Sequence, residues 1–176
     1  MDAFYVQVLY VVFGLYSLLL GVAAVYDSWK FVIPNAVTVA LVVLFVATAL
    51  VLPFEVDWLS HIGAALAVFA GGALLYGFKK LGAGDVKLLT AVALWAGFEH
   101  LPELLLYVTL GGGALALTMM VLRRILMGLQ VARPELGKVQ FPRVLLDGEA
   151  IPYALAIAPS SIILGVNLPH LGGYLI

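Results

Sequence analysis

Two acidic residues stand at the borders of long apolar runs. Asp27 follows the first run, in Tyr26-Asp27-Ser28-Trp29-Lys30-Phe31-Val32-Ile33-Pro34-Asn35, and Asp85 opens the fourth, in Gly82-Ala83-Gly84-Asp85-Val86-Lys87. An acid beside hydrocarbon is costly and marks a functional site, unless it lies at a span's end and simply reaches the headgroups. Two carboxylates suffice to hydrolyse a peptide bond. One, ionised, takes a proton from water; the other, protonated, polarises the carbonyl. Like charges at close range do not both ionise, so such a pair shares one proton. Gly82 and Gly84 have no side chains and would let a substrate backbone approach Asp85 closely. Asp27 lies near a helix C-terminus, whose dipole disfavours an anion, and Asp85 near an N-terminus, which favours one. Asp85 is therefore the expected base, although Lys30 beside Asp27 acts the other way and a coupled pair titrates as a unit.

The elements that carry these residues read as membrane spans. The chain has 176 residues, 64% hydrophobic and 11% charged, against roughly a quarter charged in soluble domains. Apolar runs cover residues 3–26, 36–52, 58–78, 84–98, 104–122 and 151–168. The expected fold is all-α, a polytopic membrane protein of about six transmembrane helices forming one domain over residues 1–176. Breaks are expected at Ile33-Pro34-Asn35, Pro53, Gly82-Ala83-Gly84, Pro102 and the Pro134 to Pro152 segment. The N-terminal run lacks a preceding basic stretch and reads as a retained helix. The fourth run, about 15 residues or ~22 Å, is short for a hydrocarbon core of ~30 Å. A glycine turn dipping below the membrane surface resolves this, and backbone is tolerated there only beside protein or a wet cavity. A polar cleft is expected at that turn.

All nine lysines and arginines lie in the first, third or fifth connection or, for Lys87, just after the third at the start of the fourth run, while the N-terminal tail and the second and fourth connections carry Asp2, Glu55, Asp57, Glu99 and Glu103. The positive-inside rule makes the odd connections cytoplasmic and puts both termini outside, so Asp27 and Asp85 face the cytoplasm. The connection 123–150 mixes five basic and three acidic residues with apolar ones. It is expected along the cytoplasmic interface, as a topology signal on anionic lipid or a substrate-docking surface.

Other chemistries fit poorly. The chain has no cysteine, which excludes disulfides, thiol catalysis and cysteine-based metal sites. His61, His100 and His170 fall at the outer face, too scattered for a metal site. Ser28, Ser160 and Ser161 have no histidine on their side. Gly-x-Gly-Asp lacks the ending of a phosphate loop, and a nucleic-acid partner is not expected. Trp29, Trp58 and Trp95 are read as interfacial anchors, the Gly71-Gly72 pair and glycines 111–113 as points of close helix packing, and Pro152-Tyr153-Ala154-Leu155 as the start of a helix, with a place bordering the cleft as the alternative.

The Asp27 segment ending in Ile33-Pro34-Asn35, followed by Gly82-x-Gly84-Asp85-x-Lys87 at the start of a later run, resembles the signature pair of type IV prepilin peptidases, which are Gly-x-Gly-Asp intramembrane aspartyl proteases. The length is similar to that of the short subgroup serving tight-adherence (Flp) pili. The resemblance implies Asp27 and Asp85 as catalytic residues, with Gly82, Gly84, Lys87, Pro34 and Asn35 as site-shaping or substrate-binding ones. It implies removal of a prepilin's short basic leader, typically after a glycine and ahead of a hydrophobic helix, at the cytoplasmic face of the cell membrane. Longer relatives have a four-cysteine metal site and also N-methylate the pilin; this chain has no cysteines, so neither zinc, methylation nor any other cofactor is expected. Pro34 suits a helix start. Asn35 is placed to cap that helix or to bond to Asp27, and Lys87 to stabilise the ionised pair or to anchor to phosphates. Two other readings compete. A signal-peptide-peptidase-like protease would be longer, and a small proton-coupled transporter calls for acids at the bilayer midplane and an internal repeat.

Overall fold

A computed structural model describes residues 3–52, 55–132, 143–145, 151–168 and 171. Asp2, Pro53, His170 and most of the 123–150 connection, residues 133–142 and 146–150, lie outside the described residues. Among the described residues there are five α-helices: α1 (Ala3–Lys30), α2 (Asn35–Val51), α3 (Trp58–Gly77), α4 (Ala83–Ala132) and α5 (Ala154–Asn167), with a 3₁₀ turn at Arg143–Leu145. The fold is all-helical. By length and composition α1, α3 and α4 can each cross a membrane, and α2 and α5 are apolar but shorter. Large apolar side chains such as Leu50, Leu59, Leu74 and Val131 point outward. A surface of that kind suits lipid and not water, and the chain is a membrane protein.

The fourth and fifth apolar runs form a single helix with one break. The expected stop at Pro102 is corrected: Pro102 lies inside α4, and the break is at Gly97 (φ 63°, ψ 179°). Only glycine adopts that conformation at little cost, so the backbone yields there. The first turn of α3 satisfies the groups the break frees. Ser60 Oγ accepts the Phe98 N–H at 2.9 Å, and His61 Nδ1 lies 2.7 Å from the Leu94 carbonyl. His61 thus has an internal structural partner in addition to its place near the bundle's end.

Contacts order the chain between two ends of the bundle. The start of α3 meets Gly97, and further along α3 Gly72 packs on Val86, so α3 and the first arm of α4 run antiparallel. Beyond Gly97 the second arm returns, and its Gly111 and Gly112 pack on Tyr153, Ala156 and Ser160 at the start of α5. Gly71 and Gly113, in contrast, face open space.

The core forms around the first arm of α4. Trp95 is fully buried, donates its indole N–H to the Leu41 carbonyl at 3.1 Å, and packs against Tyr16 and Phe45 with ring centroids 5.0 and 5.3 Å away. The expectation of an interfacial anchor is therefore corrected for Trp95. It is near a run's end in sequence, but its helix is the central one and its indole partner lies on α2. Trp29, 78% exposed, and Trp58, 42% exposed, remain on the surface.

Candidate active site

Asp27 lies in the last turn of α1 and is 7% exposed. The helix ends on Phe31, whose N–H returns to the Asp27 carbonyl at 2.9 Å while its own φ is 53°. This is a left-handed C-terminal closure in which glycine or asparagine is usual. The Asp27 carboxylate meets the head of α5: Oδ2 accepts the Ala154 N–H at 3.0 Å. A helix start leaves unpaired N–H groups, and Tyr153, the N-cap residue of α5, makes no side-chain cap. Asp27 supplies the acceptor from another helix. Gly112 leaves room for the Tyr153 ring, since a Cβ at 112 would lie 3.0 Å from it.

Asp85 is the third residue of α4. Its carboxylate accepts the Gly82 N–H, while Val86 N–H donates to the Gly82 carbonyl at 3.1 Å. The carboxylate thereby forms the acidic half of a capping box. A Cβ on Gly82 would lie 2.7 Å from Asp85 Oδ2, and one on Gly84 would lie 3.3 Å from Ile33. The two glycines thus have uses inside the fold: Gly82 leaves space for the carboxylate and Gly84 for the Ile-Pro-Asn connection. Lys87 Nζ donates to Asn35 Oδ1 at 3.0 Å, joining the same two segments a second time. Pro34 is the N-cap residue of α2, with φ −62° and ψ 132°.

Two cavities open at this end of the bundle. The larger, about 640 Å³, is bordered by Tyr76, Lys79, Lys80, Ile151 and Tyr153 as well as the two aspartates. The smaller, about 350 Å³, is bordered by Ile33, Asn35, Gly84 and Lys87 and again by both aspartates. A cleft is therefore present at the glycine turn, and the two acids stand where its two chambers meet. Each carboxylate lies at a helix N-terminus and takes one backbone N–H, Asp27 from α5 and Asp85 from Gly82. Among the described residues neither forms an ion pair with a lysine or arginine. Lys30 instead stands over the ring of Tyr26, 5.2 Å from its centroid. The asymmetry of helix dipoles that singled out Asp85 as base is reduced, because α5 brings an N-terminus to Asp27 beside the C-terminus of α1.

Of the residues named from the sequence, Asp27, Asp85, Gly82, Gly84, Asn35 and Lys87 border this cleft, and Pro34 sits behind it at the head of α2. Sequence reasoning passed over Phe31, which borders both chambers, and preferred a helix start to a cleft border for the Tyr153-Ala154 step, where Tyr153 borders the larger chamber and Ala154 bonds to Asp27. The sequence held one signal for the latter: Pro152, a proline two residues ahead of an apolar helix on the basic side of the chain.

An apolar helical bundle with a cleft bordered by two carboxylates at one end defines a membrane protein with an acidic site. The chain belongs to the type IV leader peptidase family, whose family model matches residues 14–117, more than half of its length. That stretch contains both aspartates. No curated protein and no solved structure matches the chain.

Proposed function

We propose that the chain is an aspartic-type endopeptidase that removes the basic leader of type IV, Flp-like prepilins, with Asp27 and Asp85 as its catalytic pair. The observation that carries this reading is the convergence of the two motif aspartates, 58 positions apart in the chain, on the junction of one cleft in a member of a leader peptidase family.

The chemistry follows from the arrangement. A water between the carboxylates loses a proton to the ionised one and attacks the scissile carbonyl, while the protonated one gives its proton to the developing oxyanion. Collapse of the tetrahedral species breaks the C–N bond, the proton first taken from water passes to the leaving nitrogen, and one hydroxyl of the diol returns its proton to the other carboxylate, which restores the shared proton. The backbone N–H on each carboxylate holds one oxygen in place and leaves the other to face the cleft.

The same reading covers topology. The out-and-back course of α4 about Gly97, together with α1, α2, α3 and α5, supports six crossings, each between the two ends of the bundle. Lys30, Lys79, Lys80 and Lys87 belong to the aspartate end, and by the positive-inside rule they support a cytoplasmic side for that end in the cell membrane. The substrate presents its leader there and lays its apolar helix against the bundle. N-methylation of the trimmed pilin is not part of this function.

The test is cleavage of a precursor with a basic leader, a glycine and an apolar helix by purified protein in liposomes, read by mass spectrometry. Wild type should cut at the leader boundary, and Asp27→Asn and Asp85→Asn should be inert. Near-normal cutting by either variant would rule out the two-aspartate mechanism.

A further inference from the structure

The two chambers of the cleft share four bordering residues: Asp27, Asp85, Phe31 and Gly82. A peptide that lies across both carboxylates and uses both chambers therefore passes Phe31 and Gly82 at the point of reaction. Gly82 brings no side chain to that point, and a Cβ on it would come within 2.7 Å of Asp85 Oδ2. The other shared residue is Phe31, an aromatic residue at φ 53°. A bulky residue in the left-handed region is a backbone outlier, and such outliers cluster at ligand clamps and active sites. Glycine would close α1 there without strain. The fold accepts the strained backbone at a residue that borders both chambers beside the two aspartates.

We infer that Phe31 is a specificity-determining residue, and that its ring limits the residue whose carbonyl is attacked to glycine or alanine. The inference rests on the peptidase reading above. Bulkier residues of the same substrate fit on either side of the point of reaction. Tyr76, Tyr153 and Ile151 offer the larger chamber an apolar and aromatic wall, and Asn35 and Lys87 give the smaller one a polar edge.

The experiment compares three precursors identical except for glycine, alanine or valine immediately before the scissile bond, cut by wild type, Phe31→Gly and Phe31→Asn. Both substitutions suit a positive φ, so the closure of α1 survives, and thermal unfolding in detergent verifies that each variant is folded. For wild type, kcat/KM should fall by about 100-fold or more from the glycine to the valine precursor, and removal of the ring should shrink that ratio to about tenfold, through a gain on valine. An unchanged ratio, or an equal loss on all three precursors in both variants, overturns the role of Phe31. Failure of the wild type to cut the glycine precursor is a different result, which removes the peptidase reading itself.

Discussion

The backbone N–H of Ala154 donates to Asp27 Oδ2 at 3.0 Å, joining residues 127 positions apart. It makes the head of α5 part of the acidic site. The carboxylate is oriented by a helix that reaches it only in the folded bundle, and the helix start is capped by a residue from the far end of the sequence. On the proposed reading, the bond also couples stability to activity at Asp27. Asp27→Asn keeps a carbonyl oxygen as acceptor, whereas Asp27→Ala leaves a buried N–H unpaired, at a cost of about 1–3 kcal/mol. Both variants are expected to be inactive, but only Asp27→Ala should unfold at a clearly lower temperature in detergent.

Gly82→Ala places a Cβ 2.7 Å from Asp85 Oδ2, so the carboxylate must move. A displacement of about 1 Å at a catalytic group can cost on the order of 100-fold in rate. The variant is expected to retain its fold while kcat on a pilin precursor falls by about 10- to 100-fold. Steady-state kinetics beside a thermal melt separates the two effects.

Neighbouring glycines of α4 are expected to behave differently. A methyl on Gly112 meets the Tyr153 ring at 3.0 Å, whereas one on Gly113 meets nothing within 4 Å. Gly112→Ala should push Tyr153 and the head of α5 away from Asp27 and lower activity, and Gly113→Ala should leave activity within about twofold, as is usual for substitutions that touch no packed feature. Equal effects in a cleavage assay would count against α5 as a support of the site.

Gly97→Ala is expected to be the most destabilising of these glycine substitutions. Its φ of 63° and ψ of 179° lie in a region that is essentially glycine-only, with a cost of about 1–3 kcal/mol for other residues. The added Cβ would also crowd His61, 3.2 Å away. A lower melting temperature should accompany loss of activity, because the short first arm of α4 carries Asp85 at its other end.

Lys87 and Asn35 should act as a pair. Residues two apart on a helix do not share a face, so Lys87 is directed away from Asp85 and towards Asn35. One exposed hydrogen bond contributes about 1 kcal/mol or less. Lys87→Met and Asn35→Leu should each slow cleavage several-fold, and the double variant should be no slower than either alone. Additive losses in the double-mutant cycle would show that the two residues work separately.

What could be read from the sequence was what local chemistry sets. Hydropathy marked every apolar helix, because partition into lipid depends on a segment's own composition. The Gly-x-Gly-Asp-x-Lys and Ile-Pro-Asn motifs marked Asp27 and Asp85, because acids bordering apolar runs and helix-start residues stand out in any such chain. The tertiary structure alone decided the rest. Gly97 breaks α4 and Pro102 does not, since the break needs Ser60 and His61 of another helix to take up the freed groups. Trp95 is core and not an interfacial anchor, since its partners Tyr16, Leu41 and Phe45 come from α1 and α2. The expected asymmetry between the aspartates narrows for the same physical reason. A helix N-terminus acts on whatever the fold brings within hydrogen-bond range, and the head of α5 reaches Asp27 only once the helices have packed.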